Sequence, residues 1–357
     1  MLRILITEAN TKNSIAIQKD LSRNKKYYLI GLDQKRLLFS KIHNYCDDYF
    51  YGDISVAVEK FNPDLIIPVG AHSVSICSEL YQNLCFISSK DKIKFAFNKE
   101  NLHLLNILEN VNYPITKSLK LIDDIKNHTN KYPCVVKSNK ENQVKFDTIY
   151  LNDRSINSDV IERINILLNQ KVELIIQQYV YGKARGFFCI AKDGVPVIYY
   201  MHERIREYPI SGGSSTAAIS IFCNSLLTIS KSIIKYLNWN GPLMIEFKYD
   251  YKLNKYYLIE LNPKFWGSLD LSYAIGLNFG QTLVDLYFKK NINSGNPKYR
   301  VGIRYYWILD GDLLVIFKSK KFINILEYFK TGVKTSLFNN LFVDIIKFIW
   351  TIKKILH

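Results

Sequence analysis

Two stretches in the second half of the chain decide its fold: Met244-Ile245-Glu246-Phe247-Lys248 and Leu258-Ile259-Glu260-Leu261-Asn262-Pro263-Lys264. Both are short apolar runs that predict β-strands, and the polar residues between them predict a turn. Alternate side chains of a strand lie on the same face of a sheet, so Glu260 and Asn262 point the same way. The two stretches therefore predict a β-hairpin with one polar face.

The pairing of this hairpin predicts a metal site. If the strands pair about Leu253, Glu246 lies opposite Glu260, and two carboxylates held opposite each other repel. A cation between them removes the repulsion. With the amide oxygen of Asn262 they form an all-oxygen ligand set that suits Mg²⁺ (or Mn²⁺) beside a nucleotide phosphate. The alternative is an ordinary exposed hairpin, which a lone Glu-x-Asn would favour.

The composition predicts a folded, basic protein. The 357 residues are 48% hydrophobic and 14% aromatic, enough for two or three packed units. There are 48 Lys and Arg against 32 Asp and Glu, a net charge of +16. This excess favours anionic partners: nucleotides, acidic substrates, a membrane surface or nucleic acid.

Cysteine usage and the N-terminal segment predict a cytoplasmic protein. The six cysteines are scattered without a C-x-x-C pair, which indicates free thiols in a reducing compartment and no zinc site. Residues 1–6 form a short apolar run typical of a strand, too short for a signal peptide. Charged residues interrupt the longest apolar tract, so no clean bilayer span is predicted.

The first ninety residues alternate predicted strands and helices. Strands are predicted at residues 2–6, 27–32, 65–69 and 85–87, with helices between them. This is the βαβ rhythm of an open parallel sheet. The turn at residues 7–12 lacks G-x-G-x-x-G, so a dinucleotide site is not expected there.

The middle of the chain predicts a mixture of strands, helices and a hairpin. Residues 99–110 are predicted to be helical, and residues 133–137 form a strand with a lysine at its exit. A further strand is predicted at residues 173–180. Residues 186–191 and 195–200 pair around Lys192-Asp193-Gly194, a strong hairpin signal.

Taken in order, these segments resemble those of a known enzyme family. The segments are the strand that ends at Lys137, the strand Ile175-Ile176-Gln177-Gln178-Tyr179-Val180-Tyr181-Gly182, Gly212-Gly213-Ser214-Ser215, Glu246-Phe247-Lys248, and Glu260-Leu261-Asn262-Pro263-Lys264-Phe265-Trp266-Gly267-Ser268. This series resembles an ATP-grasp ligase, most closely the carbamoyl-phosphate-synthase-like, carboxylate–amine ligase branch. The last segment, residues 260–268, is the motif most specific to this family.

The resemblance implies an α/β fold in three parts. An N-terminal Rossmann-like parallel-sheet domain (residues 1–90) precedes an α+β ATP-grasp domain (residues 91–290). Residues 291–357 then form a basic, aromatic C-terminal extension that ends in an amphipathic helix. From residue 289 to the end there are 13 Lys and Arg against 4 Asp and Glu, a net charge of +9.

The resemblance also implies how ATP is bound. Lys99 and Lys137 would contact the ATP phosphates, since a lysine is a mobile point charge with three donors. The alternative is that they are solvated surface lysines. Gln178, Tyr179 and Val180 would form the hinge that faces the adenine, although a plain core strand explains them too.

The implied chemistry needs a metal and positively charged side chains beside the anionic intermediate. Glu246, Glu260 and Asn262 would hold Mg²⁺ against the β- and γ-phosphates. A substrate carboxylate would attack the γ-phosphate to give ADP and an acyl phosphate, which an amine or a related nucleophile then attacks. The candidate residues for stabilising the anionic intermediate are Arg204, Arg206, Lys264 and Arg304. Some of these could instead form salt bridges with Glu203 or Glu207.

Three positions depart from the family pattern. Residues 138–145 follow the strand lysine without a glycine, whereas the family often has a glycine-rich loop there. Ala184 stands where an acidic residue often contacts the ribose. Lys264 replaces the family's arginine, which keeps the charge but loses the bidentate geometry.

The C-terminal segment repeats apolar residues at helical spacing from Phe338 to Ile352. This predicts either a helix that packs on the ligase core or one that lies on an anionic membrane or a partner. For the whole protein, an ATP-dependent ligase acting on a small-molecule carboxylate and amine is the first hypothesis. A catalytically inactive binding protein is the second and a nucleic-acid-binding protein the last. The oligomeric state, including a homo-oligomer, stays open.

Overall fold

The computed structural model describes residues 1–36, 38–129, 133–140, 146, 148–151, 157–210, 212–290, 298–337 and 340–356. Within these residues the chain forms three β-sheets, one of four parallel strands, one of four antiparallel strands and one of seven strands. Glu246, Glu260 and Asn262 belong to the seven-stranded sheet.

The parallel sheet is built from the N-terminal residues. Its strands are β1 (Leu2–Ile6), β2 (Tyr27–Asp33), β3 (Asp48–Tyr51) and β4 (Leu65–Ile67), in the order β3-β2-β1-β4. The helices of this part are α1 (Lys12–Leu21), α2 (Phe39–His43), α3 (Ile54–Phe61) and α4 (Ala71–Leu80). The predicted βαβ arrangement is confirmed.

One predicted strand is wrong, and one strand was missed. Residues 85–87 follow a 3₁₀ turn, Gln82–Leu84, and do not join the sheet. Cys85 and Ile87 are buried in the core beneath the parallel sheet, so their apolar character reflects burial without pairing. The fourth strand is β3 instead. Its sequence, Asp-Tyr-Phe-Tyr, shows no apolar alternation that would have predicted it.

The second sheet is small and antiparallel. Its strands are β5 (Thr116–Leu119), β6 (Cys134–Ser138), β7 (Ile149–Leu151) and β8 (Leu174–Gln178), in the order β5-β8-β6-β7. The helix α5 (Lys90–Phe97) precedes it and packs in a core of the largest sheet. The helices α6 (Ile122–Thr129) and α7 (Ser158–Asn169) accompany the small sheet. The helix predicted at residues 99–110 is a 3₁₀ helix, Glu100–Ile107, that follows α5.

The third sheet is the largest. Its strands are β9 (Lys183–Lys192), β10 (Val195–Tyr208), β11 (Ser214–Ile221), β12 (Gly241–Asp250), β13 (Lys255–Asn262), β14 (Arg304–Tyr306) and β15 (Lys334–Thr335). The strand order is β13-β12-β9-β10-β11-β14-β15, and only β14 and β15 pair in parallel. Around it lie α8 (Asn224–Tyr236), α9 (Leu269–Ala274), α10 (Phe279–Tyr287), α11 (Asp312–Lys318), α12 (Leu341–Leu356) and two 3₁₀ helices, Ile308–Asp310 and Phe322–Phe329.

The large sheet buries both faces, in two separate cores. On one face, Phe187, Ile245 and Phe247 pack against α8. On the other, Phe188 joins a core that also contains β1 and α10. Its ring stacks on Tyr200 with centroids 4.8 Å apart. Aromatic pairs of this kind each contribute about 0.5–1.5 kcal/mol beyond the area they bury. This second core ties the parallel sheet to the large one.

A β-bulge at Ile259 sets the register of the decisive hairpin. Near the turn, Phe247 pairs with Leu258, but the next pair is Glu246 with Glu260. Ile259 of β13 therefore has no partner in the ladder. Leu258 faces the core on one side of the bulge, and Leu261 faces it on the other. The bulge brings Glu260 opposite Glu246, as the sequence predicts, although the hairpin turn itself is centred before Leu253.

Among the helices that the structure describes, none combines the length and the hydropathy that crossing a bilayer requires.

Gly241 at the start of β12 should be intolerant of a side chain. It has φ +88°, and a Cβ there would lie 2.5 Å from the carbonyl oxygen of Phe86. Gly276 has φ +99° with nothing within 4 Å, so it is a matched control for backbone strain alone. We expect Gly276→Ala to lower the free energy of unfolding by about 1–2 kcal/mol and Gly241→Ala to lower it more, as measured by urea unfolding. Equal losses would show that the Phe86 contact does not constrain β12.

Candidate active site

A cavity of about 550 Å³ is lined by side chains from both the small antiparallel sheet and the large sheet. The structure brings ten of the sequence-predicted residues to it: Lys99, Lys137, Gln178, Tyr179, Val180, Arg204, Glu246, Glu260, Asn262 and Lys264. They come from six separate segments of the chain, and the strands of the two sheets hold most of them.

The polar face of the β12–β13 hairpin forms one wall of this cavity. Glu246 pairs directly with Glu260, and Asn262 pairs with Met244 two positions along the ladder. The Asn262 Nδ2 group donates to Glu260 Oε1 at 2.5 Å. The Asn262 Oδ1 atom is buried and has no hydrogen-bond partner among the described residues. A buried amide oxygen without a partner costs free energy unless a ligand satisfies it.

These three side chains fit a hard divalent cation. In the described part of the chain, no group of three or more His, Cys, Asp and Glu side chains could hold a metal. The candidate ligand set has only two carboxylates, Glu246 and Glu260, and adds the unpartnered Asn262 oxygen. Mg²⁺ takes oxygen ligands and usually keeps places for water and phosphate oxygens, so a site with few protein ligands suits it. Mn²⁺ prefers the same donors.

The two carboxylates differ in their affinity for protons. Burial raises the pKa of Glu246, and the neighbouring Glu260 adds to this, although the Arg204 guanidinium opposes it. Burial acts in the same direction on Glu260, but Lys99 and Lys137 outweigh it, so the pKa of Glu260 is lowered. Two carboxylates that share one site separate their titrations in this way.

Two lysines lie beside the carboxylate pair in the cavity. The Lys99 Nζ atom lies 3.8 Å from Glu260 Oε2. Burial and the adjacent Lys99 lower the pKa of Lys137 to about 8, although Glu260 and Glu246 oppose the shift. Two cations held close together beside two carboxylates form a mixed-charge wall to which an anionic phosphate chain and a divalent cation could bind together.

The predicted hinge lies at the end of β8. The Gln178 N–H donates to the Ile115 carbonyl oxygen and the Tyr179 N–H to the Pro133 carbonyl oxygen, both at 2.8 Å. These bonds fix the backbone where the strand leaves the small sheet, and Val180 is buried beside it. The hinge is therefore a rigid part of the cavity wall.

Arg204 connects Glu246 to Glu207 and to Ser215 of β11. Its Nη2 atom lies 2.9 Å from Glu246 Oε2 and its Nη1 atom 2.5 Å from Glu207 Oε2. Its Nε group donates to Ser215 Oγ at 3.0 Å. The side chain is largely buried, so it brings a fixed positive charge to this end of the cavity.

Arg206 is a predicted site residue that does not line the cavity. Its guanidinium donates to both carboxylate oxygens of Asp312 at 2.8 Å and to Glu327 at 2.8 Å. The ladder between β10 and β11 is irregular on both sides of Arg206, and such bulges redirect side chains. Arg206 therefore anchors α11 to β10. Arg304 is also absent from the cavity lining.

The glycine-containing segment at residues 212–215 also lines the cavity. A Cβ on Gly213 would lie 2.1 Å from the Tyr208 carbonyl oxygen, so only glycine fits that turn. Of the glycine-free segment at residues 138–145, Ser138 and Lys140 line the cavity. Residues 141–145 lie outside the described part of the chain.

Several cavity residues were missed in the sequence. His202 is buried with its Nε2 atom 3.0 Å from Ser268 Oγ. Burial lowers the pKa of His202 to about 3, and Arg204 adds to the effect, so the ring is neutral at ordinary pH. His202 lies two residues before Arg204 on one strand, a spacing that could have indicated it. The Asn13 side-chain amide donates to the Phe265 carbonyl oxygen at 3.2 Å. These two residues are far apart in the sequence, so no local pattern predicts the contact.

The backbone resembles those of several ligases of known structure. N5-carboxyaminoimidazole synthetase from Staphylococcus aureus is 14% identical, with 90% of this chain and 86% of that chain covered and a TM-score of 0.67. L-amino acid ligase from Bacillus licheniformis is 13% identical, with 82% and 76% covered and a TM-score of 0.61. The biotin carboxylase domain of 2-oxoglutarate carboxylase from Hydrogenobacter thermophilus is 12% identical, with 85% and 73% covered and a TM-score of 0.65.

This chain has the ATP-grasp fold. The predicted fold class is thereby confirmed: a parallel-sheet unit precedes an ATP-grasp core. Identities this low show the fold alone. No family profile matches the sequence, and no curated protein matches it. In this ATP-grasp fold the carboxylate hairpin, the two lysines and the hinge surround one cavity.

The depressed pKa of Lys137 predicts a pH dependence of nucleotide binding. Below about pH 8 the ammonium group is charged and attracts phosphate. Above that pH the free protein loses this charge, so the affinity for ADP should fall by up to roughly tenfold per pH unit. Calorimetric titration of ADP at pH values on both sides of the transition measures this.

The matched control is Lys137→Arg, because arginine stays charged throughout the range. We expect its ADP affinity to be flat through pH 8. A wild-type affinity that is equally flat would contradict the assignment of Lys137 to the phosphate-binding wall.

Proposed function

We propose that this protein is an ATP-dependent ligase that activates a substrate carboxylate as an acyl phosphate, with release of ADP, for attack by an amine or a related nucleophile. The observation that carries the proposal is the buried, unpartnered Oδ1 atom of Asn262 beside the Glu246–Glu260 pair. This oxygen set faces two lysines within one cavity. An ATP-grasp core offers such a wall to the phosphates of a nucleotide.

In this proposal Glu246, Glu260 and Asn262 hold Mg²⁺ (or Mn²⁺). When bound, the metal would neutralise charge on the β- and γ-phosphates. Lys99 and Lys137, which lie beside these ligands, bind the same phosphates. The structurally similar biotin carboxylase domain from Hydrogenobacter thermophilus was determined with ADP, its magnesium salt and bicarbonate. The N5-carboxyaminoimidazole synthetase from Staphylococcus aureus was determined with ADP. Both support nucleotide use at this site.

The nucleotide base would lie against the hinge of Gln178, Tyr179 and Val180. Those residues are held by hydrogen bonds to two other strand ends, so the base would meet a surface that is already ordered. Preorganised contacts of this kind lower the entropic cost of binding.

The reaction itself takes two displacements. A carboxylate oxygen of the substrate attacks the γ-phosphorus, the bond from that phosphorus to the bridging oxygen breaks, and ADP leaves. The amine nitrogen then attacks the acyl carbon, its proton is lost, and inorganic phosphate leaves as the amide forms. Arg204 and Lys264 also line the cavity, where they would stabilise the anionic intermediate. Arg206 has no part in this, since Asp312 and Glu327 hold it.

The substrates are proposed as a small-molecule carboxylate and an amine. Similar structures include an L-amino acid ligase and a phosphoribosylglycinamide synthetase, which supports this class without naming a compound. An inactive ATP-grasp binding protein is the alternative, and the intact metal-ligand set argues against it.

We also propose domain boundaries near residues 90 and 290. The six free cysteines support placement in a reducing compartment such as the cytoplasm.

Glu260→Gln should abolish magnesium-dependent ADP release. The substitution keeps the shape of the side chain but removes the charge that balances Lys99 and a bound metal. We expect a loss of at least roughly 100-fold, since transition-state charge stabilisation of this kind is worth several kcal/mol. Glu203→Gln is the matched control, because Glu203 is on the same sheet but outside the cavity lining. Wild-type turnover in Glu260→Gln would refute the metal assignment.

Hydroxylamine should trap the acyl phosphate. With ATP, Mg²⁺ and a panel of small carboxylates, the wild-type protein should form an acyl hydroxamate at the same rate as it releases ADP. With a carboxylate labelled with ¹⁸O, one labelled oxygen should appear in the inorganic phosphate. ADP release without hydroxamate or label transfer would point to simple ATP hydrolysis and would rule out the acyl phosphate route.

A further inference from the structure

The C-terminal helix α12 packs on the protein through its less apolar side. Val343, Lys347 and Thr351 are spaced four residues apart and so share one side of the helix. Val343 and Thr351 are buried, and the Lys347 Nζ atom lies 2.8 Å from Asp310 Oδ1. Trp350 reinforces this contact by packing edge-on against Phe39 of α2, with ring centroids 5.4 Å apart.

The opposite side of α12 is apolar and faces outward. Leu341, Phe342, Ile345, Phe348 and Ile349 are 48–67% exposed, and their spacing places them on one stripe. The apolar repeat that predicted this helix is therefore not what holds it to the core. Soluble proteins rarely expose an apolar stripe of this length to water, and such a stripe usually marks a surface that binds a partner or a membrane.

A second apolar segment lies close by in the sequence. The 3₁₀ helix Phe322–Phe329 exposes Phe322, Ile323, Leu326 and Phe329 by 51–80%. It follows α11, and α11 contacts both this segment and α12. We call the stripe of α12 together with these four side chains the C-terminal apolar surface.

The charge around this surface has one sign. Seven lysines of residues 318–356 are exposed: Lys318, Lys320, Lys321, Lys330, Lys334, Lys353 and Lys354. The same stretch contains only two acidic residues, Glu327 and Asp344, and both are half-buried. Arg206 also neutralises Glu327. The apolar side chains are thus accompanied by positive charge that no exposed carboxylate of this stretch offsets.

We propose that the C-terminal apolar surface docks this protein on an anionic lipid bilayer. A helix that combines an apolar face with lysines binds in the interface of such a bilayer without crossing it. The lysines would face anionic headgroups, which attract basic residues within a Debye length. A second copy of the chain is the less suitable occupant, because a two-fold contact would bring the same lysines of both copies together.

Vesicle flotation with the full chain tests the proposal. Vesicles of phosphatidylcholine containing phosphatidylglycerol should bind at least roughly tenfold more protein than vesicles of phosphatidylcholine alone, and added salt should reduce the binding. Phe342→Glu/Ile349→Glu should abolish binding. Lys353→Glu/Lys354→Glu should weaken it by roughly tenfold or more. Both variants should keep the wild-type thermal unfolding, since the altered side chains are already exposed.

Each variant has a matched control elsewhere on the surface. Leu80 and Val195 are 64% and 56% exposed, so Leu80→Glu/Val195→Glu introduces the same charges at equally exposed apolar positions. Lys25→Glu/Lys26→Glu reverses an adjacent pair of exposed lysines. Both controls should bind vesicles within about twofold of wild type after correction for net charge.

Three results would overturn the proposal. The first is equal binding to neutral and anionic vesicles, and the second is loss of binding in the controls as large as in the variants. The third is a wild-type dimer, measured by sedimentation equilibrium, that ignores vesicles and becomes a monomer in Phe342→Glu/Ile349→Glu. That outcome would assign the surface to a second copy of the chain.

Discussion

The site depends on two carboxylates that are held opposite each other. Glu246 and Glu260 face one another across a β-ladder, an arrangement that like-charge repulsion disfavours unless other charges offset it. Arg204 on one side and Lys99 on the other provide that offset. Because each cation comes from a different segment, the carboxylate pair draws β10, the 3₁₀ helix after α5 and the hairpin around one cavity.

The large sheet makes this arrangement rigid. Its two cores bury the side chains that alternate with the cavity residues, so Ile245 and Phe247 fix the direction in which Glu246 points. The bulge at Ile259 serves the same end on the partner strand. A regular ladder would have turned Glu260 and Asn262 toward the core that contains Leu258, where an unpaired carboxylate would be strongly destabilising.

The sequence was sufficient for features that follow from local chemistry. The βαβ rhythm predicted the parallel sheet, because strand and helix periods are properties of a short segment. The hairpin with Glu246, Glu260 and Asn262 was predictable because alternation along a strand assigns faces directly. The predictions that failed also have local causes. Residues 85–87 are apolar but do not pair in a sheet, and β3 shows no apolar alternation. A bulge beside Arg206 directs that side chain away from the cavity, whereas the prediction assumed a regular strand.

By itself, the sequence determined which residue types could form a metal and phosphate site and where each lies along its strand. The tertiary structure decided which of them meet, since Lys99, Lys137 and Arg204 reach the hairpin only because the small antiparallel sheet and the large sheet line one cavity. It also decided which side of α12 is buried. A helical repeat shows that an apolar stripe exists, but the ion pair of Lys347 with Asp310 turns that stripe outward. Contacts between distant segments carry no signature in local sequence, and that is the physical reason for the division.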